Sequence, residues 1–497
     1  MVDDVLGTRD GVLPLFSNHP KVGELPSFNQ ALAGLFASGF GLAGEAKAIP
    51  EVDRAPEPPT PAPTAAAPVL ARGGMDYARI GQIVVDALGA GGLVGAAPAG
   101  RVETPVVVSG SAMGVPGTDK VFDDGNVERV LRGESLIDSL PMKARRAILD
   151  KHITRLVKSD DGARFVGITD LDEVVKLGGQ AGAFDLAEEF GLPEKRVEAL
   201  ERTTQLAIAA GVSAMHDAGI PLVLSYKTTT RNTLLPDRWM LPESMRDDTG
   251  IIFGSAFPGL SATLEESRRY HEDRARRQRL EELESLVRWL PMETPPAVRR
   301  ELDGRIGRLK AEIERDRFVF DRRYVFRVLS MGHSQFAEYI GARGPNTHIN
   351  AACASGTQTL SLASDWIREG RCRRVICITA DDVTHPETVE WIGAGFLATG
   401  AAATDANVED AALPFDRRRH GMLLGMGASG MVVEAADSVA ERGIRPIGEV
   451  LGTTTLNSAF HGTRLDVDHI SAEMEKLLTS VERRYGVDRK RMAKETV

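Results

Sequence analysis

A loop of small residues runs into a single cysteine and straight out into a helix. The stretch is Gly344-Pro345-Asn346-Thr347-His348-Ile349-Asn350-Ala351-Ala352-Cys353-Ala354-Ser355-Gly356, followed by the helical pattern Thr357 to Ile367. The first amides of a helix have no internal partners, and with the helix dipole they favour negative charge placed beside them. That suits a thiolate nucleophile. Ala352, Ala354, Ser355 and Gly356 keep the surroundings small, so backbone and substrate can come close. The residues alone admit a second reading, because a free cysteine among alanines also serves as a small buried hydrophobe.

The chain has 497 residues and a net charge of −10, a balance that argues against a nucleic-acid binder. An acidic chain can still dock an acidic carrier through a local Arg/Lys patch. Three cysteines, Cys353, Cys372 and Cys377, imply no disulfide framework and fit a reducing compartment. Cys372 and Cys377 lack a matching pair of ligands, so no metal site is expected. Cys377, within Val375-Ile376-Cys377-Ile378, reads as core. No run approaches the roughly 20 apolar residues of a membrane-spanning helix. Met1-Val2-Asp3-Asp4 lacks the basic start of a signal peptide. A soluble, cytoplasmic protein is expected.

Three regions follow from composition. Residues 1–50 read as a partial upstream segment, with an apolar helical stretch from Ser27 to Phe40. Residues 51–103 are a Pro/Ala-rich linker and short helix, extended and solvated over Ala55 to Thr64. The main region, 104–497, opens with the strand-like Pro105-Val106-Val107-Val108-Ser109-Gly110 and the turn Gly114-Val115-Pro116-Gly117. Phe184-Asp185 and Phe190-Gly191 lead into a helix expected from Glu194 to Asp217, with Gly219 as its C-terminal cap. Thr249 to Ser255, Arg374 to Ala380, Met431 to Glu434 and Ile447 to Thr455 read as strands, and Ser471 to Arg484 as an amphipathic helix. Between 263 and 316 two apolar stripes, Leu280/Leu283/Val287/Leu290 and Val298/Leu302/Ile306/Leu309/Ile313, are parted by Pro291 and Pro295-Pro296. They predict an inserted helical hairpin, read as a charged surface elaboration packed on its own body or as a docking arm.

Ala352-Cys353-Ala354-Ser355-Gly356, with Gly344-Pro345 upstream, resembles the nucleophile segment of the β-ketoacyl synthases, the condensing enzymes of fatty-acid and polyketide synthesis. The flanks resemble the family in the same order: Phe184-Asp185, Phe190-Gly191, Asp217-Ala218-Gly219-Ile220, then Pro414-Phe415-Asp416 and Gly421 to Glu434. His420 and Met426 stand where the family carries acids, both placed by the resemblance near the active-site floor. Leu32 to Gly39 faintly resembles the closing segment of an acyltransferase domain.

The resemblance implies an α/β, thiolase-like layered αβαβα fold carrying the helical insertion. It implies acyl transfer to Cys353 and decarboxylative Claisen condensation with a malonyl-type thioester on acyl-carrier protein. Substrates would ride on phosphopantetheine, with no cofactor or metal bound directly. It also implies a homodimer, or intrachain domains of a type I synthase, with pairing through a strand at about Arg374 to Ala380. The family's two catalytic histidines have no clear match. His461-Gly462-Thr463 lies too near Cys353 in sequence for one of them, and His348, His333, His385 and His469 carry no distinguishing context. The expectation is therefore a chain truncated before those histidines, catalytically incomplete, and poorly soluble alone. The alternatives are a non-catalytic condensing-like subunit and an unrelated cysteine hydrolase, which would need a histidine and an orienting partner beside Cys353.

Overall fold

The computed structural model describes residues 104–496 apart from 118–119, 160–161, 330 and 460–464. The upstream segment 1–50, the linker 51–103 and His461 lie outside the described residues.

The strands in chain order are β1 (Val106–Gly114), β2 (Asp138–Ser139), β3 (Thr154–Ser159), β4 (Gly162–Gly167), β5 (Leu177–Gly179), β6 (Val223–Thr228), β7 (Leu234–Met240), β8 (Thr249–Gly254), β9 (Asn346–Ile349), β10 (Arg374–Asp382), β11 (Leu424–Ala435) and β12 (Gly448–Glu449). The main sheet runs β12-β1-β11-β10-β8-β9, with β5 and β2 joined at the start of β11. Its β9, β8 and β10 are parallel, whereas β11 is antiparallel to both β10 and β1. The pairs β3–β4 and β6–β7 form separate two-stranded ribbons.

The helices that position the site are α1 (Arg202–Asp217), α2 (Leu260–Trp289), α3 (Pro296–Arg315), α4 (Ser355–Arg368) and α5 (Pro386–Ala398). Along β10 the side chains alternate between two cores, as the pleat requires. Ile376, Ile378 and Ala380 join Leu206, Ala207, Ile208 and Met215 of α1. Val375 and Cys377 join Ala363, Trp366 and Ile367 of α4. The result is a mixed α/β fold, one sheet with a buried helix on each face. Helix α1 can lie directly on the sheet because two strand positions lack a side chain. A Cβ on Gly110 would sit 2.4 Å from the Ala218 nitrogen, and one on Gly430 2.2 Å from the Ala210 oxygen.

Some expectations need correction. The helix expected from Glu194 is two: a turn at Glu194–Val197, then α1. The break falls at Glu201, whose carboxylate accepts the N–H groups of Thr203 (3.1 Å) and Thr204 (2.9 Å) and so caps α1. Gly219 does close α1, at φ +60°. The strand expected over Ile447 to Thr455 shrinks to β12, because only Val107 and Val108 of β1 pair with it. Arg374 to Ala380 is no pairing edge for a second subunit. It is β10, hydrogen-bonded to β8 on one side and β11 on the other, and the sheet ends at β9 and β12.

The charged stretch forms α2 and α3, which pack on each other with Leu309 and Ile313 buried. Near its base α2 also packs along α5, where Arg268 meets Glu387 at 3.5 Å. The far tip is bare: Trp289 is 83% and Met292 94% exposed. The run from Ser471 lies within the helix Val467–Tyr485, which buries Val481 and leaves Val467, Ile470 and Met474 exposed.

At the end of the sheet away from Cys353 lies a buried ion cluster. Glu434, 0% exposed, accepts from Arg374 Nε (2.6 Å), from Arg442 Nη1 and Nη2 (2.7 and 2.6 Å) and from Ser109 Oγ (2.6 Å). Burial alone would raise this carboxyl, but Arg442, Arg374 and Ser109 together hold it below the ordinary glutamate value of 4.5. A folded-state pKa held down contributes stability above the unfolded value, and that stability is lost as pH falls through the lower folded value. Replacing Glu434 by Gln leaves the buried Arg374 and the partly buried Arg442 guanidinium groups without their counter-charge. We expect a loss of about 3–5 kcal/mol at pH 7 by urea denaturation. The loss should shrink as the pH is lowered below 4.5, because the unfolded wild-type chain takes up the proton there before the folded one does. A loss that stays the same from pH 7 down through the acid range in which the chain remains folded would show that the charge of Glu434 is not what holds the cluster.

Candidate active site

The chain reaches Cys353 through a bent backbone. Ala352 sits at φ +49°, in the left-handed region that a side chain occupies at a cost of about 1–3 kcal/mol. Two side chains hold the bend. The buried Ser355 hydroxyl accepts the Ala351 N–H (2.9 Å) and donates to the Ala352 carbonyl (2.6 Å). The Asn350 carbonyl oxygen accepts the Ala352 N–H (3.2 Å), while its amide donates to the Ala256 carbonyl (2.9 Å). Helix α4 begins at Ser355, two residues beyond Cys353, so the thiol stands at the amide end of the helix. Cys353 is exposed, whereas Cys372 and Cys377 are buried.

A second tether reaches the bend from the sheet. Asp381, near the end of β10, accepts from Ser255 Oγ (2.8 Å) and from the N–H groups of Ala256 (2.9 Å) and Phe257 (3.0 Å). Burial raises its carboxyl above the usual aspartate value, against those three donors. Asp381 thus fixes the loop whose Ala256 carbonyl receives Asn350.

Cys353 lines a cleft of about 550 Å³ over the ends of the central strands. Met113, Val115, Phe257, Val383 and Met426 give it apolar walls. Thr379 on β10 and Ser429 on β11 add two hydroxyls.

The expected site residues divide. Met426 is buried in the cleft wall. His420 is elsewhere: it is exposed, with Nε2 2.7 Å from Asp405, and that hydrogen bond raises it above the usual histidine value. So only one of the two departures from the family's acids touches the cleft. No histidine is among the described residues that line it. His348 is half-buried on β9 against the Phe253 ring, centroids 5.2 Å apart, and burial first, then His333, lowers its pKa. His385 stands 2.8 Å from Glu387, and His469 3.8 Å from Glu473. Sequence reasoning missed Asn350, Asp381, Thr379 and Ser429. Asn350, three residues before Cys353, carried a local signal, since Asn caps its own backbone two residues on. The others come from strands far away in the chain.

Residues 314–438 match the family model described as Beta-ketoacyl synthase, N-terminal domain. Over 154 residues the chain is 36% identical to the tetracenomycin polyketide synthase ketoacyl synthase alpha subunit of Streptomyces glaucescens, covering 30% of this chain and 34% of the relative. Over 134 residues it is 33% identical to the 3-oxoacyl-[acyl-carrier-protein] synthase 2 of Staphylococcus aureus, covering 27% of this chain and 32% of the relative. The chain thus spans about a third of the length of the curated relatives it matches. Among solved structures, a beta-ketoacyl synthase from Burkholderia phymatum aligns at TM-score 0.46 and 16% identity, over 76% of this chain and 71% of that one.

Two outcomes follow from the geometry. Burial pushes Cys372 up to about 11 and Cys377 up to about 12, so both stay protonated and shielded in the folded chain at pH 8. A disulfide reagent should therefore titrate one thiol quickly. That fast phase should vanish in Cys353→Ala, and a second fast thiol would contradict the assigned burial. Replacing Ser355 by Ala strips an acceptor from the Ala351 N–H and should cost about 1–3 kcal/mol in a denaturant melt. It should also slow alkylation of Cys353, because the bend that presents the thiol is loosened.

Proposed function

We propose that Cys353 accepts an acyl group from a pantetheine thioester and that the chain belongs to the machinery of decarboxylative Claisen condensation in fatty-acid or polyketide biosynthesis. The observation that carries this is the placement of Cys353: exposed, held at a bent residue by Ser355 and Asn350, ahead of a helix N-terminus and facing an apolar cleft. In the acyl step the Cys353 sulfur attacks the thioester carbonyl. A new carbon–sulfur bond forms, the bond to pantetheine sulfur breaks, and pantetheine leaves as a thiolate that takes up a proton. Amides at the start of α4 favour the negative charge that gathers on the carbonyl oxygen. The cleft's apolar walls suit a hydrocarbon chain.

The partner in this reading is an acyl-carrier protein, the carrier named for the staphylococcal relative, 3-oxoacyl-[acyl-carrier-protein] synthase 2. No metal or directly bound cofactor enters the chemistry. A thiolase-like layered fold, a cytoplasmic setting within a multidomain synthase, and a homodimer complete the reading. No described helix is long and apolar enough to cross a membrane.

A second reading has its own support. Met426 borders the cleft from the α1 core, and no described residue lining it is a histidine. A non-catalytic condensing-like subunit would show both features.

The test is acylation. The whole chain is incubated with butyryl-pantetheine and its intact mass followed, beside Cys353→Ala. We expect the addition of one acyl group, absent from the variant. An unchanged mass in a chain that unfolds cooperatively would sink acyl acceptance and leave the non-catalytic subunit.

A further inference from the structure

Five side chains with polar atoms line the Cys353 cleft among the described residues: Cys353 itself, Ser355, Thr379, Asp381 and Ser429. Two of these are already engaged. Ser355 both donates and accepts within the bend, and both oxygens of Asp381 accept from the 255–257 loop. Apart from Cys353 itself, Thr379 and Ser429 are the ones left lining the cleft with hydrogen-bonding capacity.

Their arrangement is specific. They are register partners on β10 and β11, with hydroxyl oxygens 2.7 Å apart. By the alternation of the pleat they share the α4 face of the sheet with Cys377 and Met431. Thr379 also reaches the first turn of α4: a carbon built on Gly356 would lie 3.8 Å from its methyl group. The pair therefore stands beside the helix start that presents Cys353.

Two hydroxyls bring two protons. One lies in the 2.7 Å contact. The other has only a long alternative, the Ser429 carbonyl at 3.4 Å from Thr379 Oγ1. A donor and free lone pairs thus remain for a ligand, in a cleft otherwise walled by Met113, Val115, Phe257, Val383 and Met426. An oxygen on a bound chain that met only those walls would lose its water without replacement.

We infer that the Thr379–Ser429 hydroxyl pair is a specificity-determining site that selects acyl groups bearing a hydroxyl or keto oxygen near the thioester over saturated ones. The inference rests on the reading of Cys353 as acyl acceptor. A hydroxyl ligand can both donate to and accept from the pair, and a keto oxygen accepts the free proton. One net hydrogen bond corresponds to a preference of about tenfold.

The experiment compares acylation of the full chain by 3-hydroxybutyryl-pantetheine and by butyryl-pantetheine, read as rates of intact-mass increase. It is run on wild type, Ser429→Ala and Thr379→Val/Ser429→Ala. The expected result is that wild type favours the hydroxylated thioester about tenfold. The ratio should fall in Ser429→Ala and approach one in the double variant. A wild-type ratio of one, or a ratio kept in the double variant, overturns the inference while leaving Cys353 as acceptor. Acylation of wild type by neither thioester overturns the Cys353 reading and this inference with it.

Discussion

A helix backbone laid directly on a sheet is the constraint on which the rest of this structure depends. Gly110 on β1 and Gly430 on β11 let the main chain of α1 approach to where a Cβ would overlap it. Because α1 sits so close, it is buried on nearly every side, and Ala207, Ala209, Ala210 and Ala214 serve where larger side chains would not fit. That face of the sheet is then sealed. The other face is left for α4, and α4 begins where the parallel strands end. The opening over those strand ends is the cleft that Cys353 enters.

Polar order in the molecule follows the same plan from both ends of the sheet. At one end Glu434 ties β11 to β10 through Arg374, to β1 through Ser109, and to Arg442 beyond the strand. A buried carboxylate so surrounded is costly to break, and it marks one alignment of three strands. At the other end Asp381 ties β10 to the 255–257 loop, and Asn350 ties that loop to the bend before Cys353. The strain at Ala352 is sustained because its neighbours are held from two directions, by Ser355 within the helix start and by Asn350 across to the loop. The site is thus an extension of the sheet's own hydrogen bonding.

The hairpin of α2 and α3 obeys different physics. Its two stripes bury Leu309 and Ile313, and its base lies on α5, so it is packed on its own body there. Beyond that base it is mostly charged, with Trp289 and Met292 bare at the tip.

How much of this could be read from the chain alone depends on the range of the interaction. The apolar runs at Val106, Ile251 and Val375 are local signals for strands, and the stripes of α2 and α3 are local signals for helices. Gly219 closes α1 because a left-handed residue is needed there. The small residues around Cys353 were legible in the chain, and Ala352, Ser355 and Gly356 line the cleft with it. Sequence patterns could not say that β10 lies in the middle of the sheet, because a buried apolar run reads alike at an edge and at a centre. They could not split the helix before α1, where the capping carboxylate of Glu201 competes with helical continuation. Nor could they separate His420 from Met426, six residues apart, of which one faces solvent and the other packs into the α1 core beside the cleft. What the sequence determined by itself was most of the elements and a cysteine set among small residues ahead of a helix, because those depend on neighbours in the chain; its exposure came from the fold. Only the tertiary structure decided that Asp381, Thr379 and Ser429 stand around that cysteine, because hydrogen bonds between strands join residues that the chain keeps far apart.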